Sequence, residues 1–288
     1  MSRRLRVLTP LALLAFLVAA PLPLLAQDPA AAAPAAQAPP PEDRDFFIGV
    51  EQPDFTINAL PTTLRLPRFK SAFRVTHRFN RPVGAGSFGE LAGDLFGLDN
   101  GAQIGLEYRF GVISGTQAGI RRTSNKTIEF FGQQSVLRQA GAMPVALAVH
   151  VGIEGLNNFR DRYSMSIGAI LSRTLPGLGA LYIEPIWIDN TNPIDAALTD
   201  EDDTFLIGLG ARIRIRPTVY VTGEVVPRVA GYDPGVSHGS VGVEKRAGGH
   251  TFQINLSNGF GTTMGQVARG GLTNDDWFLG FSISRKFF

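Results

Sequence analysis

From Arg68 onward, apolar side chains return at every second position in about twelve separate segments. A period of two sends successive side chains to opposite faces of an extended chain. The cleanest segment runs from Ala102 to Val112. Ala102, Ile104, Leu106, Tyr108, Phe110 and Val112 share one face, and Gln103, Gly105, Glu107, Arg109 and Gly111 share the other. The last segment repeats the pattern, with Trp277, Leu279, Phe281 and Ile283 against Gly280, Ser282 and Ser284. An open sheet of so many strands leaves two bare edges that invite pairing with other chains. A barrel that pairs its last strand with its first leaves none. The pattern therefore predicts an all-β fold, an antiparallel transmembrane up-and-down β-barrel of about twelve strands.

The first strand is expected at 73–79. After 102–112 come 115–122, 126–138, 143–154, 162–173, 180–188, 204–216, 218–228, 240–246, 251–257 and the C-terminal strand. The connections mostly alternate in length, with two short exceptions near Asn125 and Asn157. Those at 113–114, 139–142, 174–179, 217 and 247–250 are short, whereas 80–101, 189–203, 229–239 and 258–275 are long. Short periplasmic turns opposite longer outer loops characterise outer-membrane barrels and put both termini in the periplasm. In that orientation Tyr163, Trp187, Phe205 and Trp277 fall near the outer ends of their strands, and Phe110, Phe252 and Phe287 near the periplasmic ends. Two aromatic belts are expected where amphipathic rings meet lipid head groups.

The polar face decides between a membrane barrel and a soluble one. In 204–215, Phe205, Ile207, Leu209, Ala211, Ile213 and Ile215 alternate with Leu206, Gly208, Gly210, Arg212 and Arg214. Small residues suit a crowded concave interior, whereas a water-facing exterior carries more Lys and Glu. Charged residues are only 18% of the chain, which has 33 glycines and no cysteine. The lumen is then lined by Glu107, Arg109, Arg121, His150, Glu154, Glu184, Arg212, Arg214, Glu224 and Glu244. Such mixed charges fit either a ladder of Arg–Glu pairs filling a narrow barrel or a water-filled pore whose wall selects solutes.

Residues 1–26 read as a secretory signal, with Arg3, Arg4 and Arg6 before an apolar core and small residues toward Ala26. Without those three arginines the chain carries 24 basic and 25 acidic residues, a net charge of −1, so no nucleic-acid partner is implied. Residues 27–41 form a Pro/Ala-rich disordered spacer. Residues 42–67 are too apolar for a linker and too proline-broken for a long element. They either pack on the periplasmic mouth or enter the lumen as a plug. The barrel itself is assigned to 68–288.

Sites for chemistry are sparse. Asp200, Asp202 and Asp203 in an acidic loop are a candidate Ca²⁺ site, although no EF-hand spacing is present. Gly235–Val236–Ser237–His238–Gly239 matches a nucleophile elbow, which needs a strand–turn–helix, whereas a strand is expected after it. No catalytic residue and no cofactor are assigned. Phe281, Phe287 and Phe288 form a candidate aromatic assembly signal for the outer-membrane insertion machinery. Phe287, not Phe288, keeps the outward phase.

His77-Arg78-Phe79, Asp94-Leu95-Phe96-Gly97-Leu98-Asp99, the strand 102–111, Lys126-Thr127-Ile128-Glu129 and Leu60-Pro61-Thr62-Thr63 resemble an uncharacterised family of outer-membrane β-barrels known only as a domain of unknown function. The resemblance extends from about residue 55 to the C-terminus. It implies the barrel and the compartment but no activity. The expected function is a passive channel or small-solute pore. The alternatives are a non-conducting barrel with a structural or surface-binding role, and an outer-membrane lipid hydrolase. Expected partners are outer-membrane lipid, the insertion machinery through the C-terminal strand, and a small solute.

Overall fold

In the computed structural model, residues 49–94, 101–194 and 198–287 are described. The signal, the spacer, the Leu95–Asp99 part of the motif above and Phe288 lie outside them. Thirteen antiparallel strands follow in order: β1 Ser71–Pro82, β2 Ala102–Ile113, β3 Thr116–Thr123, β4 Ile128–Leu137, β5 Ala146–Gly155, β6 Asp161–Leu175, β7 Gly179–Ile188, β8 Thr204–Arg216, β9 Val219–Val226, β10 Arg228–Gly231, β11 His238–Ala247, β12 His250–Ser257 and β13 Phe278–Phe287. Twelve of them close a barrel. Each pairs with its neighbours in sequence, β9 joins β8 to β11, and β13 pairs with β1.

Each expected strand is present. The one departure lies in 218–228, where Pro227 interrupts the ladder. Proline has no N–H to donate, and the register shifts between Arg228 and Ala230. The chain resumes as β10, a short extra strand against the start of β8.

The alternation sorts side chains as expected. On β2, Leu106, Tyr108 and Phe110 face outward and are exposed, whereas Glu107 and Arg109 are buried. Tyr163, Trp187, Phe205, Phe110, Phe252 and Phe287 also face outward. This inversion, apolar outside and charged inside, is the arrangement lipid demands. The turns β2–β3, β6–β7, β8–β9 and β11–β12 are short, and the long loops β1–β2, β7–β8 and β12–β13 lie at the opposite end, where β3–β4 and β5–β6 are short exceptions. The β1–β2 loop carries the helix α1 Phe88–Gly93 and the β12–β13 loop the helix α2 Met264–Ala268.

The β1–β13 seam runs from Ser71 opposite Phe287 to Arg78 opposite Gly280, with an irregularity before Pro82. Phe287 is therefore the last ladder residue of the closing strand, with its ring outward. Removing Phe287 together with Phe288 is expected to lower the assembled fraction more than removing Phe288 alone. Heat-modifiable migration on gels measures that fraction, and equal yields from the two truncations would contradict this role.

Candidate functional site

The N-terminal segment lies inside the barrel. Of the two placements open for it, the described residues from Gly49 onward take the lumen. A hairpin is bridged between Thr56 and Pro61, with Ile57 N–H donating to Leu60 O at 2.8 Å and Thr62 N–H to Phe55 O at 2.9 Å. Non-regular backbone at membrane depth is tolerated only where other groups satisfy it. The barrel wall supplies those groups. Gln253 donates to Ile57 O at 2.7 Å, Arg212 to Thr56 O at 2.7 Å, Gln133 to Thr62 O at 2.9 Å and Gln117 to Leu64 O at 3.0 Å.

The hairpin tip is held by one carboxylate. The backbone N–H groups of Asn58, Ala59 and Leu60 all donate to Glu224 on β9, at 3.1, 2.8 and 3.1 Å. The Asn58 side chain donates to Ser240 and accepts from Thr222. Beside these polar anchors, Ile57 and Leu60 are fully buried in an apolar cluster with Tyr182, Ile186 and Leu206. Burying a side chain of that size contributes roughly 1.5–3 kcal/mol. Gly208 and Gly210 make the room. A Cβ on Gly210 would lie 2.3 Å from Ile57 Cδ1, and one on Gly208 would lie 2.8 Å from Leu60 Cδ1. These are the small interior residues whose alternation pointed to a crowded lumen.

Lower in the hairpin, Asp54 is surrounded by cations. Its carboxylate accepts from Arg74 Nη1 at 3.0 Å and Ser284 Oγ at 2.7 Å, and Lys286 Nζ lies 3.6 Å away. Burial alone would raise the Asp54 carboxyl, but Lys286 and Arg74, with the Ser284 hydrogen bond, hold it below the usual carboxylate range. A depressed carboxylate contributes stability above its unfolded value and loses it only as pH falls through the lower folded one. The anchor therefore holds through mild acid.

The other end of the lumen is filled by the β12–β13 loop. Met264, Val267 and Ala268 of α2 join the same apolar cluster as the hairpin tip. Thr263 donates to Glu154 at 2.6 Å, Arg269 Nη1 donates to Glu154 at 2.9 Å, and Met264 N–H donates to Glu129 at 3.3 Å. Between the two inserts runs a chain of ion pairs. Glu107 accepts from Arg109 at 2.9 Å and Arg121 at 2.6 Å, and Arg121 also donates to Glu129 at 2.6 Å. The Phe131 ring lies beneath the Arg109 and Arg121 guanidinium groups. Buried charges must be paired, and removal of one partner costs several kcal/mol. Among the described residues, Arg74 and Glu107 line voids of about 10 Å³, room for one water.

Nine of the ten lumen candidates, from Glu107 through Glu244, are buried in the interior. Arg214 is the exception. It sits half-buried at the β8–β9 turn, where its guanidinium donates to Pro217 O at 3.2 Å. Glu184 is fully buried with no partner for either carboxyl oxygen among the described residues. Arg74, Arg78, Glu129, His238 and Lys286 also face inward, although the candidate set above omits them. Asp200 and Asp203 are exposed and Asp202 half-buried. Among the described residues, no group of three acidic or imidazole side chains could hold a metal ion. The loop's Asp195 lies outside those residues. Gly235–Gly239 leads directly into β11, not into a helix, and His238 faces Glu224 at 3.4 Å inside the barrel.

Comparison with known proteins sets this architecture in context. No curated protein matches the chain. Among solved structures, a KdgM porin in complex with disordered oligogalacturonate is similar at 8% identity and a TM-score of 0.46, over 76% of this chain and 99% of that one. The COG4313 outer membrane channel from Pseudomonas putida F1 is similar at 11% identity and a TM-score of 0.46, over 77% and 97%. A family model for a membrane bound beta barrel domain matches residues 55–287, from the hairpin through the closing strand. The chain belongs to that family of membrane bound beta barrel domains (DUF5777).

Proposed function

We propose that this protein is an outer-membrane channel held closed by its own N-terminal hairpin. The observation that carries this reading is the capture of three consecutive tip amides by the single carboxylate of Glu224. Glu224 gathers three of the hairpin's many anchoring bonds onto one side chain at the tip, so a single group there controls how firmly the tip is held. The alternation of short and long connections supports an outer-membrane setting with both termini periplasmic, and the two aromatic belts fit the lipid interfaces on either side. Partners in this reading are outer-membrane lipid around the barrel, the insertion machinery at β13 and a small solute in the opened lumen.

The test is current across a planar bilayer. The intact protein is expected to be silent in several salts, and variants that free the hairpin are expected to conduct. Silence of the freed variants would favour a permanently filled barrel with a structural or surface-binding role. That alternative draws its support from α2, which fills the lumen from the opposite end.

A further inference from the structure

The interior faces of the two closing strands, paired side by side, carry three cations between them and no carboxylate. On β1 they present Ala72, Arg74, Thr76 and Arg78, and on β13 Gly280, Ser282, Ser284 and Lys286. No acidic side chain faces inward on either strand, whereas Glu107 on β2 pairs with Arg109 and Arg121, and Glu244 on β11 pairs with Arg212. The carboxylate that serves Arg74 and Lys286 comes from the hairpin, as Asp54. Arg78, four residues along the same strand or roughly 13 Å higher, is fully buried. Its Nε and Nη2 have no hydrogen-bond partner among the described residues. When the hairpin leaves, Arg74 loses both Asp54 and the Asn58 carbonyl, and Lys286 keeps only the hydroxyl of Thr251.

We propose that Arg74, Lys286 and Ser284 form a binding station for the carboxylate of an organic anion, with Asp54 as its built-in stand-in. The donor set has what a carboxylate needs: a guanidinium, an ammonium and a hydroxyl converging on two oxygens. Arg78 continues the cationic line toward the other end of the lumen. The proposal rests on the reading that the hairpin withdraws, and it names the solute class that replaces it: small organic carboxylates.

The test uses the full-length Asp54→Ala protein, in which the station keeps its donors and loses its occupant. Thermal unfolding is followed in sodium formate and in sodium chloride at equal ionic strength. Formate is expected to raise the melting temperature of Asp54→Ala above its value in chloride and to leave the unsubstituted protein unchanged. Adding Arg74→Gln to Asp54→Ala is expected to weaken the formate effect about tenfold in concentration, the equivalent of 1.4 kcal/mol. Should Asp54→Ala fold poorly, its refolding yield in formate against chloride gives the same comparison. Equal behaviour in formate and chloride would overturn the station. Because this comparison requires no current, its outcome is independent of the bilayer recordings that test the channel reading.

Discussion

Deleting residues 49–67 is expected to turn a silent barrel into one that carries steady current. The deletion removes the hairpin and leaves every strand of the barrel in place, since β1 begins at Ser71. Closure through β1–β13 does not involve the hairpin, so the truncated chain should still assemble and migrate as a heat-modifiable barrel. Its melting temperature should fall. Arg74, Lys286 and Arg212 lose partners supplied by Asp54 and Thr56, and Glu224 loses three backbone donors. Groups left buried without a partner cost about 1–3 kcal/mol each, unless water enters to solvate them. Water entry is what an opened lumen provides, so the measured loss should be smaller than the sum. A truncated barrel that assembles yet conducts nothing would show that α2 alone keeps the lumen closed.

Replacing Glu224 with Ala is expected to have the second largest effect, through one side chain. Three amide hydrogen bonds to a carboxylate vanish together, and the Ser240 hydroxyl loses an acceptor as well. Hydrogen bonds to charged groups are worth about 1.5–3 kcal/mol each, and they are not additive when shared by one acceptor. A net weakening of about 3–4 kcal/mol corresponds to a rise of roughly two to three decades in the population of the released hairpin. The expected readout is frequent openings where the unsubstituted protein shows almost none. Glu224→Gln should fall between the two, because its amide keeps one acceptor oxygen but loses the charge. Equal opening frequencies for all three proteins would remove Glu224 from the mechanism.

The barrel was legible in the sequence because its signal is local. Two-residue alternation such as Ala102–Ile113 needs no knowledge of the partner strand, and lipid outside with charge inside fixes which face is which. The same phase that sends Phe73 and Val75 outward sends Arg74 and Arg78 inward, so those residues were accessible to the same argument. Glu129 was harder. Phe130 and Phe131 are adjacent, and apolarity alone cannot say that Phe130 meets lipid while Phe131 lies under two guanidinium groups. The β9–β10 break was masked for another reason. Pro227 sits inside an otherwise continuous apolar run, and the register shift it brings follows from the pairing with β8.

The closed lumen was only half legible. Apolar content ruled out a free linker for 42–67, but its irregular path carries no period. Its contacts lie far away in sequence, with Asn58 and Glu224 separated by 166 residues. Glycines at 208 and 210 indicated a crowded interior without saying what crowded it. The filling of the other end by α2 left even less trace, since the long connection 258–275 carries no period and only the fold puts Met264 and Val267 in the same buried cluster as Ile57 and Leu60. The choice between a ladder-filled interior and an open pore therefore rested on tertiary contacts that composition does not encode.

A gating hairpin can be tested by tethering it to the barrel wall. The chain contains no cysteine, so a pair of introduced thiols has no competitor. Thr63 Oγ1 on the hairpin stem and Ser172 Oγ on β6 are 2.5 Å apart, so thiols introduced at these two positions face each other. The decisive recording is single-channel current from Glu224→Ala carrying Thr63→Cys and Ser172→Cys, before and after reduction. The oxidised protein should be silent and should begin to conduct once the disulfide is reduced. Current that is the same in both states would contradict a hairpin gate.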